Sequence, residues 1–572
     1  SVISVSTMLS YILTALLAAL VVGMWRWLRP KPFAGIPYNK ESAGRILGDV
    51  PLLAPLIAQT KEFSGSITAT TTRRLGSPVA QLLFPNIRKP LIVVEDAREI
   101  EDIILRRTKE FDKAPTTVDI VLPLFPHGTV SQYTTPELKA QKRLWSEGMT
   151  TSFLQRAAAP NIRTATLDLL ELWSLKANSI YQGRPFEVLE DFQSTALDTI
   201  WAAVVGEPPG IVRYEVTKLQ SRIAGKTDVG ELEAPRGMFL RGAVAYIAHA
   251  IATNSNSPIP AWASKLETWM PRFRRFRATM SREIGTAVAK SVDRYQCLGK
   301  GMLDNDECDT CMMDLVLRRQ IAQAQKAQQP MLDPTKDQRM QDEMLTMLVG
   351  GYDSTADALS WFVRFMETYP GVQTELRSAL RSAFPDTNHP SVQSMLAADI
   401  AYLDAVCEEC LRLGGIVKAT MRQALVDTEI LGFPIPKGAE LFLNYHINLP
   451  PIPVPESKRS RGSRAAVAKM GDGLNEKAGQ NLDVFEPRRW LVRDEKTGND
   501  KFNRFAIPAL PFGGGPRGCF GRKLAVLELR MVVQLLILNL EFLELPAEHK
   551  GHGAVEKIFR GPDKSFVRIK VL

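Results

Sequence analysis

A glycine-rich segment that carries one cysteine and runs into a helical pattern constrains this chain of 572 residues more than any other feature. The segment, residues 512–521, reads Phe-Gly-Gly-Gly-Pro-Arg-Gly-Cys-Phe-Gly, and the apolar pattern of residues 522–540 predicts a helix directly after it. Loop amides and the positive end of the helix dipole favour the thiolate form of Cys519. The sequence therefore predicts that Cys519 is a metal ligand rather than a disulfide partner.

The order Phe-x-x-Gly-x-Arg-x-Cys-x-Gly resembles the haem-binding loop of the cytochrome P450 family without a mismatch. The resemblance implies that Cys519 is the axial ligand of the iron in haem b. It also implies that Phe512 packs near the sulfur and that Arg517 pairs with a haem propionate, because a guanidinium fork matches a carboxylate. Gly513 is one of the glycines that let the backbone approach a flat ligand. A free cysteine in a glycine-rich turn is the alternative.

The N-terminus predicts a membrane anchor. Residues 1–25 carry no charged side chain, and the apolar run 8–25 is long enough to cross ~30 Å of hydrocarbon. Basic residues follow at once, so the positive-inside rule places the bulk of the chain in the cytosol. A cleaved signal peptide is the alternative, but no basic segment precedes the apolar run.

We divide the chain into a transmembrane anchor over residues 1–28, a proline-rich hinge over 29–40 and one catalytic domain over 41–572. The pattern of the domain is mostly helical, so we predict a mainly α fold with a small β region. The resemblance implies the cytochrome P450 fold, preceded by one N-terminal transmembrane helix. Prolines, basic residues and small polar residues over 449–481 predict a surface loop inserted into the domain.

A long helix is predicted from Asp333-Pro334 to about Thr368, with Gly350 and Gly351 at its centre. Each glycine costs about 1 kcal/mol relative to alanine in a helix interior, a cost that the close approach of a flat ligand explains. Asp353 and Ser354 follow. The segment resembles the family's Gly-Gly-x-Asp/Glu-Thr pattern, which implies that they are the catalytic acid–alcohol pair that relays protons during oxygen activation. A kinked core helix is the alternative.

A buried charge network is predicted behind the cysteine loop. Glu409 and Arg412 share one face of a helix that is apolar on more than one side, and Arg489 lies beside an aromatic residue. These residues are similar to the family's Glu-x-x-Arg and Pro-x-Arg-aromatic motifs, which implies a structural triad of Glu409, Arg412 and Arg489. A surface ion pair, which would contribute little, is the alternative.

The cofactor site has a second arginine and one departure from the family pattern. Arg422, ahead of a predicted strand, matches the family's other propionate-binding arginine. The family commonly has Trp-x-x-x-Arg in an early helix, whereas this chain has Gln-Lys-Arg-Leu-Trp over residues 141–145. Either Arg143 substitutes for the missing arginine, or that propionate contact is absent.

The resemblance implies an enzyme, an NADPH- and O₂-dependent cytochrome P450 monooxygenase that inserts one oxygen atom into a lipophilic organic substrate. Hydroxylation, epoxidation and multistep oxidation are all compatible with it, and fungal secondary metabolism is the implied setting. Electrons would come from NADPH through cytochrome P450 reductase, with cytochrome b5 as a further donor. The implied location is the endoplasmic reticulum membrane, single-pass, with the catalytic domain on the cytosolic face.

Composition and motifs limit the other functions. The formal net charge is only +9, and no arginine-rich arm or zinc-finger spacing indicates nucleic-acid binding. A reductase-independent haem-thiolate isomerase or dehydratase remains an alternative, although Asp353 and Ser354 argue against it. A non-catalytic haem protein is the other alternative, although Gly350 and Gly351 predict an open sixth coordination position.

Overall fold

The computed structural model describes residues 5–225, 236–257, 259–298, 309–329, 333–470 and 481–572. The chain forms two units. The first comprises residues 1–114, 418–445 and 450–472, and the second comprises residues 115–417, 446–449 and 473–572. The prediction of a mainly α fold with small sheets and one N-terminal apolar helix is confirmed.

The first unit begins with the helix Val5–Leu28. Its segment Met8–Leu28 is the one helix of the described residues that is long and apolar enough to cross a membrane, and none of that segment is buried. The exposure is expected for an anchor, because lipid rather than protein would cover its apolar side chains. The other α-helices of this unit are Lys40–Ala43, Val50–Thr60, Phe63–Thr70, Thr72–Leu75, Ala97–Leu105 and Arg461–Met470.

A five-stranded sheet forms the core of the first unit. Its strands lie in the order Val79–Leu82, Leu91–Val94, Glu440–Asn444, Ala419–Ala424 and Phe111–Lys113. Only the pairing of Leu91–Val94 with Glu440–Asn444 is parallel. A separate hairpin pairs Thr428–Ile430 with Phe433–Ile435.

The predicted loop over 449–481 is wrong for its middle part. Residues 456–458 form a 3₁₀ turn and the helix Arg461–Met470 follows, whereas residues 471–480 lie outside the described residues. The helix Ala97–Leu105 supplies the partners: Arg459 donates to its N-cap Asp96 at 2.7 Å, and Ser460 Oγ donates to Asp102 at 2.7 Å. The insertion is therefore ordered by acceptors more than 350 residues earlier in the chain, which its own composition does not reveal.

The second unit is a helical assembly around one large apolar core. Its α-helices are Pro115–Val121, Pro136–Trp145, Thr151–Phe153, Ala159–Leu175, Leu189–Val204, Ile211–Ile223, Arg236–Ser255, Pro260–Glu267, Pro271–Leu298, Met312–Ala327, Gln338–Thr368, Pro370–Ala383, Val392–Ala397, Ala401–Gly414 and Arg522–Asn539. Its short strands pair as Leu491–Arg493 with Asp500–Phe502, Leu540–Phe542 with Ile569–Val571, Ala554–Glu556 with Arg560–Pro562, and Phe186–Glu187 with Phe566–Val567.

The long central helix of this unit ends at Thr368, as predicted, but begins at Gln338. Asp333 caps only a 3₁₀ turn, Pro334–Lys336, whereas the Asp337 side chain accepts hydrogen bonds from the first amides of the helix. The predicted start at Asp333 is therefore four residues early. Two aspartates in one segment both offer a cap, and the geometry of the chain decides which one the helix uses.

Candidate active site

The loop that carries Cys519 is a tight turn closed by its own backbone. The amide of Cys519 donates a hydrogen bond to the carbonyl of Phe512 at 2.9 Å. Gly513 and Gly515 each have a φ of 60°, in the left-handed region that favours glycine. The helix Arg522–Asn539 begins three residues after Cys519, so its N-terminal end lies next to the thiol. The residue order of this segment thus dictates its local shape.

The electrostatic environment of Cys519 contains opposing contributions. One face of the side chain is exposed, while protein surrounds the rest of it. Burial raises the pKa of the thiol, whereas the backbone N–H of Gly521 and the charge of Lys142 lower it. The amide and the cation both favour the thiolate, which is the form that binds a metal ion.

Lys142 is a cation beside the loop that the sequence analysis missed. It lies on the helix Pro136–Trp145, and its Nζ donates to the carbonyl of Pro516 at 2.8 Å, whereas the neighbouring Arg143 is exposed. Burial and the charge of Arg517 lower the pKa of Lys142. The sequence analysis named only Arg143 of the basic pair 142–143, because only the orientation of the helix shows which of the two faces the loop.

Arg517 connects the cysteine loop to a second segment of the same unit. Its Nη2 donates to the carbonyl of Thr129 at 3.4 Å. Phe512 is partly buried against the apolar core, and the guanidinium of Arg522 lies 5.7 Å from the centre of its ring. The predicted residues Phe512, Arg517 and Cys519 therefore lie in one loop, which contacts both the segment of Thr129 and the helix that follows the loop.

Glu343 is a hub of hydrogen bonds that no motif predicted. Its side chain is buried and accepts from the amide and the hydroxyl of Thr129, both at 2.8 Å, and from Nε2 of Gln141 at 3.0 Å. Burial raises the pKa of Glu343, and these hydrogen bonds oppose the increase. Glu343 thereby links the long helix to the helix of Lys142 and to the segment that Arg517 contacts.

The two glycines of the long helix have different surroundings. A Cβ on Gly351 would lie 2.8 Å from Cγ1 of Ile200, so this glycine lets the helices Leu189–Val204 and Gln338–Thr368 pack closely. A Cβ on Gly350 would meet no other atom within 4 Å. Both glycines were predicted to make room for a flat ligand, and in the structure only Gly350 faces open space.

Asp353 and Ser354 are fixed by different partners. The Ser354 hydroxyl donates to the carbonyl of Gly350, one turn earlier, at 2.6 Å. Asp353 Oδ1 accepts from Nε2 of Gln193 at 2.9 Å. Burial raises the pKa of Asp353, while Gln193 and the charge of Lys557 lower it. The geometry thus provides a desolvated carboxyl beside a hydroxyl on the face of the helix that carries Gly350.

The structure brings Glu409, Arg412 and Arg489 together as one buried network. Arg412 forms two parallel hydrogen bonds of 2.7 Å to the Glu409 carboxylate, and Nε of Arg489 donates to it at 2.9 Å. Nε1 of Trp490 donates to the same carboxylate at 2.9 Å, as does the amide of Glu486 at 3.0 Å. Five donated hydrogen bonds compensate the cost of burying this carboxylate.

Arg422 lies in the first unit, in the strand Ala419–Ala424. It is buried, and its Nη1 donates to the Thr420 hydroxyl and to the Met421 carbonyl, both at 2.9 Å. These contacts hold the guanidinium close to its own strand. Its predicted contact with a propionate stays a prediction.

The chemistry of the Cys519 region fits a haem. A thiolate is a suitable donor for haem iron, and the cations Lys142 and Arg517 suit the two propionates of that ligand. Gly350, Gly513 and Gly521 all lack a neighbouring atom within 4 Å of a would-be Cβ, so the backbone leaves room for a flat group. The donor set and the free space beside these three glycines thus agree with the cofactor implied by the sequence.

Comparison with known proteins gives the family by sequence, and a solved structure has the same fold. The family model described as Cytochrome P450 matches residues 82–447 and 473–561. A crystal structure of a cytochrome P450, CYP102L1, superposes with a TM-score of 0.64 at 16% identity, covering 95% of this chain and 100% of that one. At this identity the superposition shows the fold alone.

Three fungal proteins match the chain over nearly its full length. The chain is 29% identical to the cytochrome P450 monooxygenase TRI13 of Fusarium sporotrichioides, over 96% of each chain. It is 30% identical to a cytochrome P450 monooxygenase of Pestalotiopsis microspora, over 100% of this chain and 99% of that one. It is also 30% identical to the cytochrome P450 monooxygenase xilC of Penicillium crustosum, over 96% of this chain and 94% of that one.

Proposed function

The chain belongs to the cytochrome P450 family, and on this basis we propose that it inserts one oxygen atom from O₂ into a lipophilic organic substrate of fungal secondary metabolism. The class of reaction follows from the family and from the named relatives: the chain is an oxidoreductase, a monooxygenase with haem as its cofactor. The observation that carries the proposal is the Cys519 loop, closed by its own backbone at the start of the helix Arg522–Asn539.

The residues of the loop region would hold the cofactor. Cys519 would ligate the iron, and Arg517 and Lys142 would bind the propionates, with Arg422 as a further candidate. When bound, the haem would supply oxygen activation, to which the thiolate of Cys519 would contribute electron density. Glu343 would act indirectly, because it orients the segments from which Arg517 and Lys142 reach the loop.

Asp353 and Ser354 would supply protons. Because burial raises the pKa of Asp353, its carboxyl holds a proton more readily than an exposed aspartate does. Gln193 orients that carboxyl, and the Ser354 hydroxyl can both accept and donate a proton. General acid catalysis of this kind contributes ~10²–10⁴ in rate. The serine lacks the methyl group of the family's usual threonine, so its hydroxyl rotates more freely.

The partners would be a flavoprotein reductase, cytochrome b5 as a further electron donor, and a lipid bilayer. Lys523 is exposed four residues after Cys519 and is a candidate contact for an acidic redox partner. The apolar helix Met8–Leu28 would anchor the chain in the endoplasmic reticulum membrane, with the catalytic part on the cytosolic face. A membrane-bound enzyme meets lipophilic substrates at high local concentration, which supports this substrate class.

The test combines spectroscopy with turnover. The full chain, loaded with haem and reduced under carbon monoxide, should give a thiolate-type Soret shift, which Cys519→Ala should abolish. A panel of lipophilic metabolites, screened for the low- to high-spin shift, should then identify ligands whose oxidation requires both NADPH and reductase. Turnover without either of them would favour the isomerase or dehydratase alternative and would contradict the proposal.

A further inference from the structure

Asp357 is a second carboxyl group on the helix face that carries Asp353, one turn further along Gln338–Thr368. No motif and no part of the proposed function uses it. Residues four apart on a helix are neighbours, with Cβ atoms about 5–6 Å apart. Within the described part of the chain, the Asp357 carboxylate accepts no hydrogen bond, whereas Asp353 is held by Gln193.

The backbone of a hairpin covers Asp357. The strands Ala554–Glu556 and Arg560–Pro562 form this hairpin, and a Cβ on Gly561 would overlap Oδ1 of Asp357. Glycine at position 561 therefore allows the strand to lie directly against the carboxyl group. Such close packing leaves Asp357 only partly exposed and supplies no hydrogen-bond donor, which favours its protonated form.

Few charged groups act on Asp357. Asp353 faces it from its own helix, and Lys557, an exposed residue in the turn of the hairpin, faces it from the other side. Arg560 of the same hairpin is directed elsewhere: its Nη1 donates to the carbonyl of Gly414, and its guanidinium lies 4.5 Å from the centre of the Trp361 ring. From the helix Leu189–Val204 the polar neighbour is the uncharged Gln193, which binds Asp353.

Burial and the charge of Asp353 raise the pKa of Asp357 to about 7, while Lys557 lowers it. Burial also raises the pKa of Asp353. Two carboxylates this close resist double ionisation, so their protons leave in two steps that belong to the pair. Near neutral pH the pair is therefore expected to hold one proton.

We propose that Asp353 and Asp357 share one proton and that Asp357 restores the proton that Asp353 gives up. The inference rests on the proposed acid role of Asp353. In the transfer, an O–H bond of Asp357 breaks as an O–H bond of Asp353 forms, and solvent on the side of the exposed Lys557 returns a proton to Asp357. Because it acts through Asp353, Asp357 is a positioning residue.

Infrared spectroscopy of the haem-loaded full chain in lipid nanodiscs tests the shared proton directly. The difference between wild type and Asp357→Asn isolates the carboxyl band of the pair from other buried acids such as Glu528. If the two carboxyl groups are coupled, Asp353→Asn lowers the pH at which Asp357 loses its proton, because the charge of Asp353 that opposes this ionisation is gone. An unchanged titration of Asp357 in Asp353→Asn would overturn the proposal.

Two further variants separate proton supply from structure. Asp357→Glu keeps a carboxyl group and should retain the shared band, whereas Gly561→Ala keeps both aspartates but displaces the carboxyl of Asp357 and should weaken the band. With NADPH and reductase, Asp357→Asn should shift the pH dependence of peroxide release relative to NADPH consumption, and Asp357→Glu should restore it. If Asp357→Asn and Asp357→Glu show the same pH dependence of peroxide release, the inference is overturned.

The outcome also separates this inference from the proposed function. If Asp353→Asn changes peroxide release and Asp357→Asn does not, Asp353 keeps its acid role and only the shared proton is rejected. If Asp353→Asn itself has no effect on peroxide release, the acid role assigned to Asp353 fails, and the inference that depends on it is overturned too.

Discussion

Lys142 donates a hydrogen bond to the carbonyl of Pro516 across 374 residues of sequence, at 2.8 Å. This contact ties the helix Pro136–Trp145 to the loop of Cys519 and brings a second cation beside the thiol. The contact has consequences for haem retention that can be measured.

We expect Lys142→Met to lose haem faster than wild type, because the methionine keeps the length of the side chain but neither its charge nor its donor. Lys142→Arg should retain haem, since the charge is kept. Haem transfer to an excess of apomyoglobin measures the rate. Arg143→Met, at the exposed neighbouring position, serves as the matched control, and equal loss from both methionine variants would contradict the assignment.

Arg488 and Arg489 are adjacent in sequence but differ in environment. The Arg489 side chain is 6% exposed and pairs with the fully buried Glu409, whereas Arg488 is 60% exposed and pairs with the part-exposed Glu375. Arg489→Gln leaves a buried charge without one of its partners and should lower the free energy of unfolding by about 3–5 kcal/mol. Arg488→Gln should change it by about 0–1 kcal/mol. Urea unfolding and haem content measure both, and similar values for the two variants would contradict the network.

Gly350 and Gly351 form a second matched pair. Gly351→Ala places a methyl group 2.8 Å from Ile200 and should cost about 1–3 kcal/mol of stability. Gly350→Ala meets open space, so it should raise the stability of the haem-free chain by about 1 kcal/mol through helix propensity while reducing haem binding. Thermal unfolding with and without haem distinguishes the two effects, and destabilisation by Gly350→Ala would show that this position is packed.

Because Glu528 is buried, we expect the free energy of unfolding to depend on pH. Glu528 is buried on the helix that follows Cys519, and burial raises its pKa from 4.5 to about 8, while the neighbouring Thr199 opposes the increase. The unfolded chain loses this proton near its ordinary pKa, whereas the folded chain keeps it until about pH 8. Stability should therefore fall as the pH rises between these values, by up to ~1.4 kcal/mol per pH unit.

Glu528→Gln should remove that slope, because glutamine is neutral in both states. Urea unfolding midpoints from pH 5 to pH 8, compared with wild type and with Glu548→Gln at an exposed position, measure it. A slope that survives in Glu528→Gln would assign the pH dependence to another group.

Deleting residues 1–28 should release most of the chain from membranes, because the segment Met8–Leu28 supplies the apolar length that spans a bilayer. Among the residues that the structure describes, Trp262 and Trp269, 58% and 62% exposed, are the exposed tryptophans outside the helix Val5–Leu28. Since tryptophan favours the membrane interface, residual binding of the truncated chain should fall further in Trp262→Ser/Trp269→Ser. Vesicle flotation measures both steps, and full retention after deletion and substitution would place the attachment elsewhere.

The sequence alone determined the features that depend on neighbouring residues. The loop of Cys519 needs glycine where φ is positive, the helix Arg522–Asn539 follows from its own periodicity, and the N-terminal apolar helix follows from an uninterrupted apolar run. The long helix also ended at Thr368, as predicted, since Pro370 follows closely and proline cannot continue a helix.

Tertiary structure decided which side chains meet. Lys142 rather than Arg143 contacts the loop, Glu343 links three segments, and Asp357 faces Gly561 more than 200 residues later. The helix Arg461–Met470 likewise follows directly after residues that donate hydrogen bonds to aspartates more than 350 residues earlier in the chain. Such contacts depend on how helices are rotated and packed against one another. This packing is a property of the whole core, and no local sequence pattern determines it.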